Sequence, residues 1–302
     1  MEKPFILHMI TTAKNLSPFD VNMAMDAGWV SAVPYINVEP SEVRGLVQDA
    51  IFSRGPKGLK KTGIFIGGRE TKQAIDMLKL AKNSMVPPFE VSVFADPSGA
   101  FTTAAGLVAA VAKALDKNFG ETLQGKNVIA LGGTGPVGQA AAVLAAQAGA
   151  KVRIIGRQLS KAERIADLCS TEFTEAEIDI QAGADADKAE YMKTADVVFA
   201  TGAAGIELLS EALIKNAPQL KVAADVNAVP PAGIAGVDAF DNGKVIPGSP
   251  SGAVGIGALA IGNIKYQAQR NLLTKMLESE QPMYLHFEHA YQVAMEWVNQ
   301  DS

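Results

Sequence analysis

Glycines recur at the first, third and sixth positions of Gly133-Thr134-Gly135-Pro136-Val137-Gly138, directly after the apolar run 127–131 (NVIAL) and directly before an alanine-rich segment. A strand that feeds a glycine turn opening a helix gathers free backbone N–H groups and the positive end of the helix dipole at one point, which suits phosphate. In that context the spacing reads as a dinucleotide fingerprint. Gly133 is expected to allow the tight turn, Gly135 to let backbone approach a pyrophosphate, and Gly138 to let the helix pack close to the sheet. Pro136 suits the first helical turn, where its missing N–H costs nothing. Thr134 and Val137 complete the stretch. The bland alternative is a glycine turn that binds nothing.

The next strand bears on which dinucleotide. A carboxylate at its tip would bind the ribose 2′-OH of NAD. Here the strand 151–155 runs into Gly156-Arg157-Gln158-Leu159-Ser160-Lys161, with no carboxylate. Arg157, Ser160 and Lys161 suit a 2′-phosphate instead, so NADP is expected over NAD. Otherwise the two cations are solvated charges at a helix start. Two later strand ends could serve the same cofactor. Thr201, Gly202 and Ala203 form a small-residue turn after 196–200 (DVVFA). Asp225 and Asn227 follow 220–224, and both readings of them, site residues or turn formers, stay open.

These groups need a scaffold. Strand-like runs at 5–10, 31–36, 62–66 and 91–95 alternate with helical patterns at 20–27, 40–52 and 69–84. A second series has strands at 127–131, 151–155, 196–200 and 220–224, with helices near 136–149, 160–171 and 206–213. The stretch 99–118 reads as one helix joining the series, and 253–277 and 284–299 as a helical tail. Alternation of this kind predicts an α/β fold with parallel sheets. The tail is expected to pack back on the first series.

Composition narrows the class. The chain has 302 residues, 48% hydrophobic and 20% charged, with a net charge of −5. That apolar content excludes a disordered chain, and the charge leaves no basic footprint for nucleic acid. Cys169 is the only cysteine, so a disulfide scaffold is excluded. His8, His286 and His289 are too scattered to suggest a metal cage, and no metal is expected. His8, in an apolar strand, reads as a satisfied core residue. The uncharged stretches 127–150 and 245–264 are long enough to span a membrane. They contain GGTGPVG and PGSPSG, so neither is a continuous apolar helix. MEKPFILHMI lacks a small-residue cleavage site and reads as a buried first strand. A cytoplasmic protein without membrane contact is expected.

The segments LSPFDVNMAMDAG (16–28), QDAIFSRG (48–55), TGIFIGG (62–68), FADPSGAFTTAAG (94–106), GGTGPVG (132–138), DVNAVPPAGIAGVDA (225–239) and GIGALAIGNIKYQ (255–267) run through nearly the whole chain. Together they resemble the bacterial NAD(P)-dependent methylene-tetrahydromethanopterin dehydrogenases of methylotrophs. The resemblance implies two domains with a cleft between them: an N-terminal α/β pterin-binding domain over 1–121 and a Rossmann domain over 122–262. Helices over 263–302 would return to the first domain. It also implies a homo-oligomer, tetrahydromethanopterin as the substrate carrier, and NADP with NAD as a second acceptor.

The implied reaction oxidises a methylene bridge to a methenyl bridge in one-carbon metabolism. Loss of hydride from a carbon between two nitrogens leaves an amidinium-like cation. No proton moves in that step, so no Ser/His/Asp triad is needed, and positioning dominates. By resemblance Asp20 lines the pterin pocket with Ser17 and Phe19 of the same SPFD segment. Asp96, Ser98, Thr102, Thr103 and Lys265 join it, and Asp20, Thr102 and Lys265 are expected nearest the reacting centre. Each has a plainer reading: Asp20 as helix-dipole compensation, Asp96 or Ser98 as a helix cap, Lys265 as a surface lysine. Rival activities are the same oxidation of methylene-tetrahydrofolate, a shikimate-type dehydrogenase working through a Lys/Asp pair, and a non-catalytic NADP sensor.

Overall fold

The computed structural model describes residues 3–300. Strands and helices alternate from the start: β1 (Ile6–Ile10), α1 (Pro18–Asp26), β2 (Ser31–Tyr35), α2 (Val43–Phe52), α3 (Pro56–Leu59), β3 (Thr62–Ile66), α4 (Thr71–Asn83) and β4 (Ser92–Ala95), leading into α5 (Ala100–Phe119). The second series is β5 (Asn127–Leu131), α6 (Pro136–Gln147), β6 (Lys151–Gly156), α7 (Leu159–Thr171), β7 (Ile180–Ala184), α8 (Lys188–Met192), β8 (Val197–Ala200), α9 (Glu211–Lys215), β9 (Val222–Asp225), β10 (Asn242–Val245) and β11 (Val254–Ile256). The chain closes with α10 (Ala258–Glu278), β12 (Tyr284–Leu285) and α11 (Phe287–Gln300).

These elements form two compact units. One runs through Thr102 and takes in Tyr266–Val293; the other is Thr103–Lys265 with the chain from Ala294 on. The breaks between the units fall inside α5, α10 and α11.

In the first unit the strands lie in the order β12-β4-β3-β1-β2, every pair parallel. Parallel strands covered on both faces carry continuous apolar runs, and all of β3 is buried. The late segments close this unit. β12 pairs with β4, the Trp29 indole donates to the Leu273 carbonyl at 3.2 Å, and Phe101 meets Phe287 edge-on at 5.2 Å.

In the second unit the order is β10-β11-β9-β8-β5-β6-β7, parallel throughout except β10 against β11. Counted from β5 and leaving aside β10, the strands stand 3-2-1-4-5-6, the doubly wound nucleotide-binding order. The expected fold class, α/β with a parallel Rossmann-type sheet, is what the strands form.

Several elements differ from the sequence reading. β7 differs from that reading because IQAGA is short and holds one large apolar residue, Ile180, among small and polar ones; it is the edge strand of its sheet. The residues before Glu211 are not helical: Leu209 bridges to Ile234, and Ser210 caps the short α9. The stretch expected to open the tail helix is the strand β11, which completes the side of β9 opposite β8. Neither uncharged stretch is one helix, since strands and turns interrupt both. Among the described residues, one helix is long and apolar enough to cross a membrane, Pro97–Phe119, and 78% of its most apolar window is buried.

The histidines and the cysteine behave as packing groups. His8 is half-buried and shares a hydrogen bond with the Tyr35 hydroxyl at 3.1 Å; burial and then Arg54 hold its imidazole below the ordinary value. Burial pushes the Cys169 thiol up to about 12, which keeps it unreactive. The His286 backbone N–H donates to His289 Nδ1 at 3.3 Å, across the first turn of α11. Burial first, and then His289, lower His286 from 6.5 to about 4. The unfolded chain thus takes up a proton that the folded imidazole refuses, so stability is whole above pH 6.5 and falls from there towards about 4. Thermal midpoints should drop across this window, and His286→Gln should flatten the drop. Equal slopes in the two proteins would show that another group controls it.

Candidate active site

Open α/β sheets bind ligands beyond the carboxyl ends of their strands, at the point of strand-order reversal, and each unit has such a point. In the second unit that point lies between β5 and β8. The loop after β5 holds the glycine motif, and the loop after β8 holds Thr201-Gly202-Ala203.

The turn itself belongs to Gly132, one residue earlier than expected. Gly132 has φ +68°, in the left-handed region, whereas Gly133 does not. A Cβ on Gly132 would stand 2.5 Å from the Gly202 Cα and 2.6 Å from its nitrogen. The two strand-end loops therefore touch through bare backbone. Gly133 is needed for space, since its Cβ would meet the Ala130 carbonyl at 2.7 Å. Gly138 is needed likewise: a Cβ there would meet the Gly133 Cα at 2.5 Å and the Thr201 hydroxyl at 2.7 Å, so α6 packs close against the loop. Thr201 is buried, and its hydroxyl donates to the Leu131 carbonyl at 3.0 Å, which pins the β8 loop to β5.

Gly135 differs from these. It is the N-cap of α6 with φ −82°, no side-chain cap covers the helix start, and Pro136 follows it. The nearest atoms to a Cβ there are 3.6 and 3.9 Å away, so the space over this turn is open. Thr134 to Val137 are half-exposed. The first-turn N–H groups of a helix have no intrahelical acceptor. An open, uncapped, glycine-built helix start fits a pyrophosphate.

At the end of β6, Arg157, Ser160 and Lys161 are all exposed at the start of α7. Neither cation is ion-paired to another described residue. Gly156 keeps this corner tight, since its Cβ would lie 2.9 Å from the Thr134 methyl. Adjacent basic groups and a hydroxyl beside the phosphate loop fit a 2′-phosphate.

Asp225 and Asn227 are both buried and work inside their own loop. Asp225 accepts from the backbone N–H groups of Asn227 at 2.9 Å and Gly233 at 2.6 Å. Asn227 donates to the Pro231 carbonyl and accepts from the Val229 N–H, both at 2.9 Å. Burial raises the Asp225 carboxyl and those backbone donors pull it back. These side chains shape the loop beyond β9. Ala203 is exposed on the loop before it.

In the first unit the strand order 2-1-3-4 reverses between β1 and β3. A cavity of about 280 Å³ lies there, walled by Thr11, Asn15, Ser17, Asp20, Arg69 and Ser98 together with Gly67 and Gly68. Ser17, Asp20 and Ser98 are thus brought together. Asp20 stands in the first turn of α1, 2% exposed, and accepts from the Gln269 side-chain amide at 2.8 Å. Ser98 has φ +52° and its hydroxyl donates to the Gly68 carbonyl at 2.7 Å, joining the β3 and β4 loops at the cavity wall.

The remaining expected pterin residues are placed differently. Asp96 and Thr102 are fully buried behind this wall. Asp96 accepts from the N–H groups of Phe101 and Thr102 at 2.9 and 3.2 Å, and from the Thr102 hydroxyl at 2.6 Å. Both spend hydrogen bonds on the start of α5, which ends a buried helix without a polar deficit. Phe19 is 43% exposed, Thr103 is half-buried on α5, and Lys265 is half-buried on α10 in the second unit. Sequence reasoning missed Thr11, Asn15, Arg69 and Gln269. The first three follow the ends of β1 and β3, a position that could have marked them. Gln269 had no local signal.

A larger groove, about 580 Å³, lies at the opposite, amino ends of β5, β6 and β7, around Asn127, Lys151 and Asp179. It is remote from the glycine loop, and no phosphate-binding helix start opens there.

Comparison with known proteins shows the family. Residues 18–98 match the family model described as "Methylene-tetrahydromethanopterin dehydrogenase, N-terminal". The chain is 45% identical over 295 residues to the NAD(P)-dependent methylenetetrahydromethanopterin dehydrogenase of Methylorubrum extorquens, covering 96% of this chain and 98% of that protein. It is 37% identical over 291 residues to the bifunctional protein MdtA of the same organism, with the same coverage. Among solved structures, shikimate 5-dehydrogenase from Listeria monocytogenes superposes with a TM-score of 0.51 at 15% identity, over 99% of this chain and 96% of that one. This last likeness is one of fold alone. With near-complete alignment to curated relatives at such identity, the chain belongs to the methylene-tetrahydromethanopterin dehydrogenase family.

Proposed function

We propose that the protein oxidises methylene-tetrahydromethanopterin to the methenyl form with NADP as hydride acceptor and NAD as a second one. The observation that carries this reading is the 45% identity, over 96% of the chain, to a dehydrogenase of that name. The first unit binds the pterin at the β1/β3 cavity, and the second binds the dinucleotide at the Gly132–Gly138 loop.

When bound, NADP supplies the hydride acceptor. The open backbone around Gly135 and the uncapped start of α6 hold its pyrophosphate. Arg157 and Lys161, with the Ser160 hydroxyl, hold the 2′-phosphate. Asp225 and Asn227 keep the β9 loop in shape, and Thr201 and Gly202 keep the β8 loop low enough for the ligand to lie across it. Asp20 acts on the pterin, where a carboxylate favours the cation left by hydride loss. Ser17, Ser98 and Arg69 line the same pocket. Asp96 and Thr102 act indirectly by holding the start of α5. For Lys265 the resemblance implies a role in orienting the substrate or a partly neutral amine, since a lysine charge against the nascent cation would oppose the reaction.

The decisive experiment supplies methylene-tetrahydromethanopterin or methylene-tetrahydrofolate, each with NADP or NAD, and follows methenyl absorbance together with nicotinamide reduction. Turnover is expected with the methanopterin substrate and fastest with NADP. No turnover with any pair would overturn the reading, and preference for the folate would overturn the substrate. Arg157→Ala should lower kcat/KM for NADP by about 10- to 50-fold, the worth of a charge-assisted phosphate bond. The value for NAD should stay within about twofold, since NAD carries no phosphate there. Equal losses with both would remove Arg157 from this role.

A further inference from the structure

We propose that Gln269 is a positioning residue for the pterin reaction: its side-chain amide holds the Asp20 carboxylate in its working orientation. This rests on the reading of Asp20 as the carboxylate that acts on the pterin.

Gln269 is 0% exposed on α10, among Ala268, Leu272 and Leu273, which are no more than 1% exposed. An amide in so apolar a setting costs free energy unless it is hydrogen-bonded. Its Nε2 donates to Asp20 Oδ1 at 2.8 Å, across 249 residues of chain. A carboxylate accepts only, so the amide must present its nitrogen there. A bond to an ionised acceptor is among the stronger ones. A neutral donor also orients the carboxylate without adding a charge, so the donor itself does not cancel the field that a developing cation would feel. Helix α1 places Asp20 at the cavity wall, and the amide selects which way its oxygens point. Helix α1 fixes the Asp20 backbone, and the Gln269 amide adds a side-chain bond that orients one carboxylate oxygen.

The test compares Gln269→Ala and the near-isosteric Gln269→Met, each alone and combined with Asp20→Asn, in the intact protein. Either single variant should lower kcat/KM for the methylene-pterin by about 10- to 100-fold, with NADP affinity, read by fluorescence titration, unchanged within about twofold. In the Asp20→Asn background the same substitutions should cost little more, because residues acting as a unit are not additive. Gln269→Glu supplies a reading that a merely structural residue would not give. Two facing carboxylates resist joint ionisation, so its kcat/KM should fall with rising pH where the parent's does not, and Asp20→Asn should abolish that slope. If Asp20→Asn leaves turnover intact, the reading of Asp20 fails and this inference with it. If Asp20→Asn lowers turnover while both Gln269 single variants retain it, or if the losses simply add, only the inference fails.

Discussion

Asp20→Asn should lower kcat for the methylene-pterin about 100-fold while KM for NADP stays within about twofold. Asp20 is 2% exposed at the wall of the β1/β3 cavity. Hydride departure places one positive charge on the pterin that the ground state lacks. A carboxylate about 5 Å from that charge, at an effective dielectric near 20, is worth roughly 3 kcal/mol. At about 1.4 kcal/mol per decade, that corresponds to a hundredfold. Because the charge exists only as the reaction proceeds, the loss should fall on kcat rather than on substrate KM. Asparagine conserves the volume and still presents an oxygen to Gln269, so the helix start should fold as before. A raised pterin KM with unchanged kcat would mean that Asp20 binds the ring without acting on the cation.

Gly132→Ala should destabilise the second unit by about 3 kcal/mol and lower its thermal midpoint by about 10 °C. Two penalties combine. The residue has φ +68°, where an L side chain costs about 1–2 kcal/mol. Its methyl would also lie 2.5 Å from the Gly202 Cα. That neighbour is backbone of an adjacent strand-end loop and cannot swing aside, so overpacking adds about 1–3 kcal/mol. Gly135→Ala is the matched control. It has φ −82° and no atom nearer than 3.6 Å, so the fold should tolerate the methyl. NADP affinity should nevertheless drop, because the methyl occupies the space a pyrophosphate would need. If both substitutions lowered stability alike, the distinction between a packing glycine and an approach glycine would fail.

The two changes also show where local sequence is informative. GGTGPVG after NVIAL was legible because strand, turn and helix signals are contiguous there, so the loop could be placed without a fold. Which glycine turns the chain was not legible. It depends on Gly202, a residue 70 positions later, whose approach leaves no room for a Cβ on Gly132. The same holds for Asp225 and Asn227. Their types suit both ligand contact and turn formation, and only the backbone around Gly233 shows their hydrogen bonds committed within the loop.

The first unit divides in the same way. The strands β1 to β4 announced themselves as β-rich apolar runs, and SPFD as a helix start carrying a carboxylate. Asp96 and Thr102 looked like candidate ligands for the same reason that they make good caps, since both tasks need short polar side chains at a strand-to-helix junction. β7 and β11 escaped notice because an edge strand and a strand of Val254–Ile256 carry too little pattern of their own.

The sequence by itself determined most of the element types, the glycine turn between β5 and α6, the basic residues that follow β6 and the family, since each is written in contiguous residues. Tertiary structure decided the order of strands in each sheet, the glycine that turns the loop, the split between Asp20 at the cavity and Asp96 in a cap, and the pairing of Asp20 with Gln269. Periodicity and turn chemistry act over a few residues. Those later choices come from packing between segments far apart in the chain, whose distances no local pattern encodes.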